Sequence, residues 1–308
     1  MEKLIDIQAY PIKNVLALLL TDKTTKGNII WATDTYEELG KGYADTDEIR
    51  ALTLLSHPDV IKPRIARDAD TQLARTRKKA EVYTPAWLCC QMCNHLDEEW
   101  FGRKDVFNIL SDNHTWEIIP EKITFPEGKT WKQYVDSRRL EITCGEAPFL
   151  VSRYDAATGN LITPPKRRIG LLDRKLRIVD ENTETFDDWI TWTVRAFQSV
   201  YGYEFQGDNL LIARINLLLS FVDYYENRWQ KQPETKELKQ MANIITWNVW
   251  QMDGLKDTVP LGLPFSYEEV NMFAPPATDT PADRVAEFCK IRNWRSEETI
   301  VFHHLKGR

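Results

Sequence analysis

Several absences narrow what this 308-residue chain can be. A basic excess is missing: 40 Lys and Arg stand against 46 Asp and Glu, a net charge of −6. A protein that grips duplex DNA alone usually carries a basic face, because neutralising phosphates releases counterions. The acidic balance points instead to a partner for any DNA contact, or to a small nucleotide ligand. A membrane-spanning run is missing from the N-terminal segment, whose apolar stretch Val15–Leu20 is far shorter than the roughly 20 residues a bilayer demands. That stretch reads as a buried strand or the start of a helix. No charged region with a small-residue cleavage site frames it, and the cysteine count is odd, at five. A reducing cytoplasm is therefore the expected compartment. Zinc spacing is missing as well. Cys90 and Cys93 form a C-x-x-C, but no second such pair or H-x-x-x-H follows, so no metal site is expected and these cysteines read as core thiols on a helix. No internal repeat or low-complexity tract is visible.

What is present is an alternation of apolar runs with strand and helix periods. Residues 1–80 form an N-terminal appendage ending in RDADTQLARTRKKA, read as a solvated helix with Leu73 as its apolar contact. Arg75, Arg77, Lys78 and Lys79 on it are candidate phosphate contacts. Thr84 is placed as an N-cap, with Pro85 at the first helical position and Leu88, Met92 and Leu96 as a stripe at i, i+4, i+8. A short strand then runs into a tight turn at 140–150. A polar loop is read over 155–187, within an insertion of about 151–187 that could be a lid, a partner surface or an added subdomain. Helices follow at 187–202 and 208–229, flanking a strand YEFQG, and a further strand is expected within ANIITWNVWQMDGL. Strands alternating with helices argue for an α/β sheet. Eleven tryptophans fit an aromatic core, with base stacking as the alternative.

Three strand ends carry acids: Glu141, Glu204 with Phe205 beside it, and Asp253. Ligands of α/β sheets bind outside the carboxyl ends of strands, where a carboxylate can accept both hydroxyls of a ribose. The segment Glu141-Ile142-Thr143-Cys144-Gly145-Glu146-Ala147-Pro148-Phe149-Leu150 is similar to the D-P-A-C-G-x-G-x-F-L cofactor loop of the gamma-type adenine-N6 DNA methyltransferases. Val82-Tyr83-Thr84-Pro85 resembles their F-x-T-P segment, Gly202-Tyr203-Glu204 with Ala213 to Leu217 resembles G-x-D/E then A-x-x-N-L, and Asp253-Gly254-Leu255 resembles G-D-x-L. The likeness covers about residues 81–280. It implies a Rossmann-like S-adenosylmethionine-dependent methyltransferase fold over 81–308, truncated at the C-terminus.

It further implies a cofactor site of Tyr83, Thr84, Pro85, Glu141, Thr143, Cys144, Gly145, Glu204, Phe205, Asp253 and Gly254. Glu204 would bind the ribose hydroxyls and Asp253 the adenine amine. DNA would be the macromolecular target, reached through a specificity or restriction partner. The family's catalytic N/D-P-P-Y/F is replaced by Ala274-Pro275-Pro276-Ala277, which leaves Pro275 and Pro276 as the only catalytic candidates in register. Ala147 stands where the family has a second loop glycine, and is expected to narrow the approach to the cofactor. Residues 278–308 are too few for the remaining strands and a target-recognition domain. A catalytically silent cofactor sensor or scaffold is the alternative. A third reading is a nucleic-acid module built on the tryptophans and on Lys166, Arg167, Arg168, Arg174 and Lys175.

Overall fold

The structure is a computed structural model that describes residues 3–79, 84–262 and 287–306. It is mixed α/β. The helices are α1 (Ile12–Leu19), α2 (Ala51–Ser56), α3 (Ala69–Lys79), α4 (Ala86–Phe101), α5 (Trp131–Asp136), α6 (Leu171–Asn182), α7 (Phe186–Gln198), α8 (Gly207–Trp229) and α9 (Thr235–Asn248). The strands are β1 (Asn108–Leu110), β2 (Trp116–Ile118), β3 (Arg139–Glu141), β4 (Val200–Glu204), β5 (Val249–Gln251), β6 (Lys290–Asn293) and β7 (Glu298–Val301). The central sheet has the order β3-β4-β5 with both pairings parallel, and β1-β2 and β6-β7 are separate antiparallel pairs.

Alternation along β4 fixes what covers each face of the sheet. Val200, with Val249 of β5, joins the large core built with α1, α6, α7, α8 and α9. Tyr201, Tyr203 and Trp250 face the other way, where Ile291 of β6 and Phe302 close a smaller core. Helix α8 is buried through most of its length, as an apolar periphery requires. Helix α7 is capped by Thr185, whose hydroxyl accepts the Asp188 amide at 3.2 Å, and it buries Trp189, Thr193, Ala196 and Phe197. Trp31, Trp189 and Trp250 are wholly buried, and no tryptophan falls in the exposed class among the described residues, in line with the core reading.

The N-terminal residues share the large core, to which Ile5, Ile7, Leu16 and Trp31 contribute. Two devices bind them to the sheet. Gln251 of β5 exchanges two hydrogen bonds with the Ile30 backbone, at 2.9 and 2.8 Å. Gly207, the first residue of α8, donates to the Trp31 carbonyl at 2.9 Å. A Cβ on Gly207 would fall 1.9 Å from the Ile30 carbonyl oxygen, so only glycine allows that approach.

Several sequence expectations are corrected. The strand expected at 203–207 is β4, at 200–204. Half of ANIITWNVWQMDGL is helix: α9 runs to Asn248, and only Val249–Gln251 is strand. The β-branched Ile244, Ile245 and Thr246 carry the strand signal, yet packing of α9 against α1 and α8 overrides it. The polar loop expected over 155–187 contains α6, whose residues 171–179 are all buried. Pro85, not Thr84, occupies the N-cap of α4. The buried face of α4 is Ala86, Cys89, Cys90, Cys93, Asp97 and Phe101, whereas Met92 is 49 % exposed. Leu73 of α3 is also exposed, and Arg75 on that helix is buried rather than solvated.

Candidate functional site

The carboxyl ends of β3 and β4 open into a cleft of about 1340 Å³. Its floor is the loop that follows β3. Thr143, Gly145 and Ala147 lie at φ of +48°, +54° and +65°, a left-handed backbone that folds the loop back toward the strands. The turn aims amides at two acids. Glu141 accepts the Phe149 and Leu150 amides at 3.4 and 3.1 Å. Glu204 accepts the Gly145 amide at 2.8 Å and the Gln206 amide at 3.1 Å. Gly202, between the two, passes close to the loop, and a Cβ there would lie 3.3 Å from the Cys144 sulfur.

Both carboxyls are buried, with no arginine or lysine in their hydrogen-bond sets among the described residues. Burial pushes Glu141 up to about 8, against the Phe149 and Leu150 amides, and Glu204 adds to the rise. Burial raises Glu204 as well, opposed by the Gln206 and Gly145 amides. The Cys144 thiol is driven well above its ordinary range by burial and by the two neighbouring carboxyls. All five cysteines are buried free thiols, the core role expected of Cys90 and Cys93.

Of the residues the sequence singles out, Thr84, Glu141, Thr143, Cys144, Gly145, Glu204 and Phe205 line this one cleft. Pro85 is not among the lining residues; it caps α4, which contributes Gln91, Met92 and His95 to the cleft wall. The packing of α4 on the loop explains the juxtaposition: Phe149 rests on the cluster of Ala86, Cys89, Cys90 and Ile169. Asp253 and Gly254 do not line the cleft. The Asp253 carboxylate instead accepts the Leu255 and Lys256 amides, at 3.0 and 3.3 Å, and pairs with the Lys256 ammonium at 3.6 Å. Ala147 is wholly buried and absent from the cleft wall, so its methyl does not narrow the approach. Tyr83, Pro275 and Pro276 lie outside the described residues, as do Ala274 and Ala277.

Sequence reasoning missed the cluster behind the cleft. Asp208, in the first turn of α8, takes Arg75 at 2.8 Å, the Tyr36 hydroxyl at 2.7 Å and Arg67 at 3.3 Å. Arg75 also donates to Gln206, and Arg67 to Asn209, both of which line the cleft. Burial works to raise Asp208, but Arg75 and Arg67 hold it below the usual carboxylate range. The signal was there in Gln206-Gly-Asp-Asn209, an acid and two amides directly after a strand. The basic residues 166–175 are not a nucleic-acid surface as a set: Arg168, Arg174 and Lys175 are buried, with Arg168 on Asp223 at 2.6 Å and Arg174 on Asp97. Compared with known proteins, the chain matches no family model, no curated protein and no solved structure. No helix among the described residues is long and apolar enough to cross a membrane.

Proposed function

We propose that this cleft binds S-adenosylmethionine in a Rossmann-like methyltransferase fold. The chain is then a DNA adenine-N6 methyltransferase-like modification subunit of a cytoplasmic restriction-modification or defence system, relying on a partner for DNA recognition. One observation carries the reading: two buried carboxyls at the ends of adjacent parallel strands, linked by a glycine-containing loop whose amides lie on both of them.

The residues present fit such a group. A carboxylate has about four lone-pair positions, and backbone amides occupy two of those on Glu204, which leaves capacity for a pair of ribose hydroxyls. Ile142 and Phe205 offer apolar wall for a purine, and Met92 for an aliphatic chain. Glu141 near neutral pH is largely a neutral carboxyl that fastens the loop to β3. The bound cofactor would supply an electrophilic methyl group. The chain's own work is to bind, orient and exclude water. The silent alternative is favoured by one feature, Ala274 and Ala277 in place of an amide acceptor and a stacking ring.

Calorimetry with S-adenosylmethionine on the purified chain is the direct test. Neither heat nor a thermal shift at millimolar ligand would remove the cofactor reading. A tritiated-methyl assay on mixed-sequence DNA, with the chain alone and with candidate partners, separates the two functional variants. Incorporation by the chain alone, abolished by Glu204→Ala, would overturn the dependence on a partner.

A further inference from the structure

A second concavity, of about 200 Å³, lies at the opposite end of the sheet, beside the amino ends of β3 and β4. Three arginines from three separate elements converge on it. Arg138 immediately precedes β3, Arg195 comes from the last turn of α7, and Arg295 from the turn between β6 and β7. A single carboxylate, Asp136, shares the wall. Arg195 grips it with two bonds, at 2.9 and 2.5 Å, and Arg295 stands 3.6 Å away. Arg138 has no carboxylate partner among the described residues, and its hydrogen bond goes to the neutral Asn293 side chain at 3.2 Å.

Three guanidinium groups against one carboxylate leave a formal excess of two positive charges, in a chain whose net charge is −6. The Arg138 and Arg295 charges reach the Tyr201 hydroxyl, where they oppose the rise caused by its burial. Drawing three arginines to one point without matching acids costs self-repulsion, which an anion would relieve. Guanidinium forks match phosphate oxygens in pairs. The concavity is smaller than the roughly 300–1,000 Å³ pockets that enclose whole small molecules, so it suits a single anionic group whose remainder lies outside.

We propose that this arginine pocket binds a phosphate group, carried either by a nucleic-acid strand or by free phosphate. It is separate from the cleft, and its existence does not depend on the cofactor reading. The test uses the full chain, with calorimetry on inorganic phosphate and fluorescence anisotropy on a short single-stranded oligonucleotide. Binding of at least one probe is expected, weakened about tenfold or more by Arg138→Gln or by Arg295→Gln. Arg138→Lys should retain part of the affinity, and Glu204→Ala all of it. Oligonucleotide binding that free phosphate fails to match identifies a strand as the source, and equal affinity for both probes identifies free phosphate. Arg138 is exposed and, among the described residues, paired only with a neutral group, so its variants keep the fold. The proposal falls if neither probe binds, or if both arginine variants bind as the parent does.

Discussion

Asp208 follows Glu204 by only four residues, yet the buried carboxyls of this region are held in opposite ways. Asp208 is surrounded by Arg75, Arg67 and Tyr36 and stays ionised below its usual range. Glu141 and Glu204 are held by backbone amides alone and are raised. Neutralised carboxylates are the ordinary solution for a folded interior. Raised carboxyls facing a cleft are costly in the free protein and gather where ligands bind. The contrast separates what anchors α3 to α8 from the pair that the proposed cofactor reading gives to a ligand.

The largest expected effect is on the pH dependence of stability. Because Glu141 sits at about 8 in the folded chain against an ordinary value of 4.5, the folded state holds the extra proton between those limits. Its stabilisation is complete below pH 4.5 and is lost as pH rises through 8. The loss amounts to about 4–5 kcal/mol at full ionisation, at 1.36 kcal/mol per unit. Urea unfolding from pH 5 to pH 10 should show Glu141→Gln losing markedly less stability than the parent. Parallel profiles would dissolve the contrast. On the other side, Asp208→Ala removes the buried carboxylate that Arg75, Arg67 and the Tyr36 hydroxyl all bond, and should cost about 3–5 kcal/mol at neutral pH. Unfolding that shifts by less than 1 kcal/mol would show that the arginines are not what holds this region.

Next in size is ligand binding. Glu204→Ala removes charge-assisted acceptors and should weaken S-adenosylmethionine binding by about 1.5–3 kcal/mol in calorimetry. Asp253→Ala should change that affinity little, since Asp253 is spent on its own turn. Equal losses from the two substitutions would place the ligand elsewhere than beside Glu204.

How legible each region was in the sequence follows the same division. The loop after β3 was readable because its bonds are local: Glu141 reaches amides eight and nine residues away. Helix α8 was readable because its apolar periphery is intrinsic. Helix α6 was not, because its charges are buried by distant partners. Arg174 meets Asp97, Arg177 meets the Phe107 carbonyl, and Lys175 meets the Val135 carbonyl. A helix of Arg, Lys and Asp reads as solvated until those partners are known. The same holds for Arg75, whose acid lies 133 residues away. Asp253 shows the reverse failure: an acid at a strand end looks like a ligand group, yet its own turn consumes it.

The smallest effect tests whether the loop's geometry is imposed by the acids it serves. Thr143 is β-branched, exposed and at φ +48°, a conformation that costs an L-residue roughly 1–2 kcal/mol. Thr143→Gly removes that strain but adds about 0.4–1 kcal/mol of chain entropy to be lost on folding. No buried contact is sacrificed, so a net gain of about 0.5–1 kcal/mol is expected in urea unfolding. Ala147→Gly starts from the same kind of backbone, at φ +65°, but gives up a wholly buried methyl worth about 0.8 kcal/mol. Its relief and its losses nearly cancel, and its stability should stay within about 0.5 kcal/mol of the parent. A gain at 143 with none at 147 fits a loop bent against its own preferences, its amides drawn onto Glu141 and Glu204. If Thr143→Gly destabilises instead, the Thr143 hydroxyl bond to the Ile142 carbonyl at 2.7 Å shapes the turn, and the carboxyls are held by a loop that would fold that way without them.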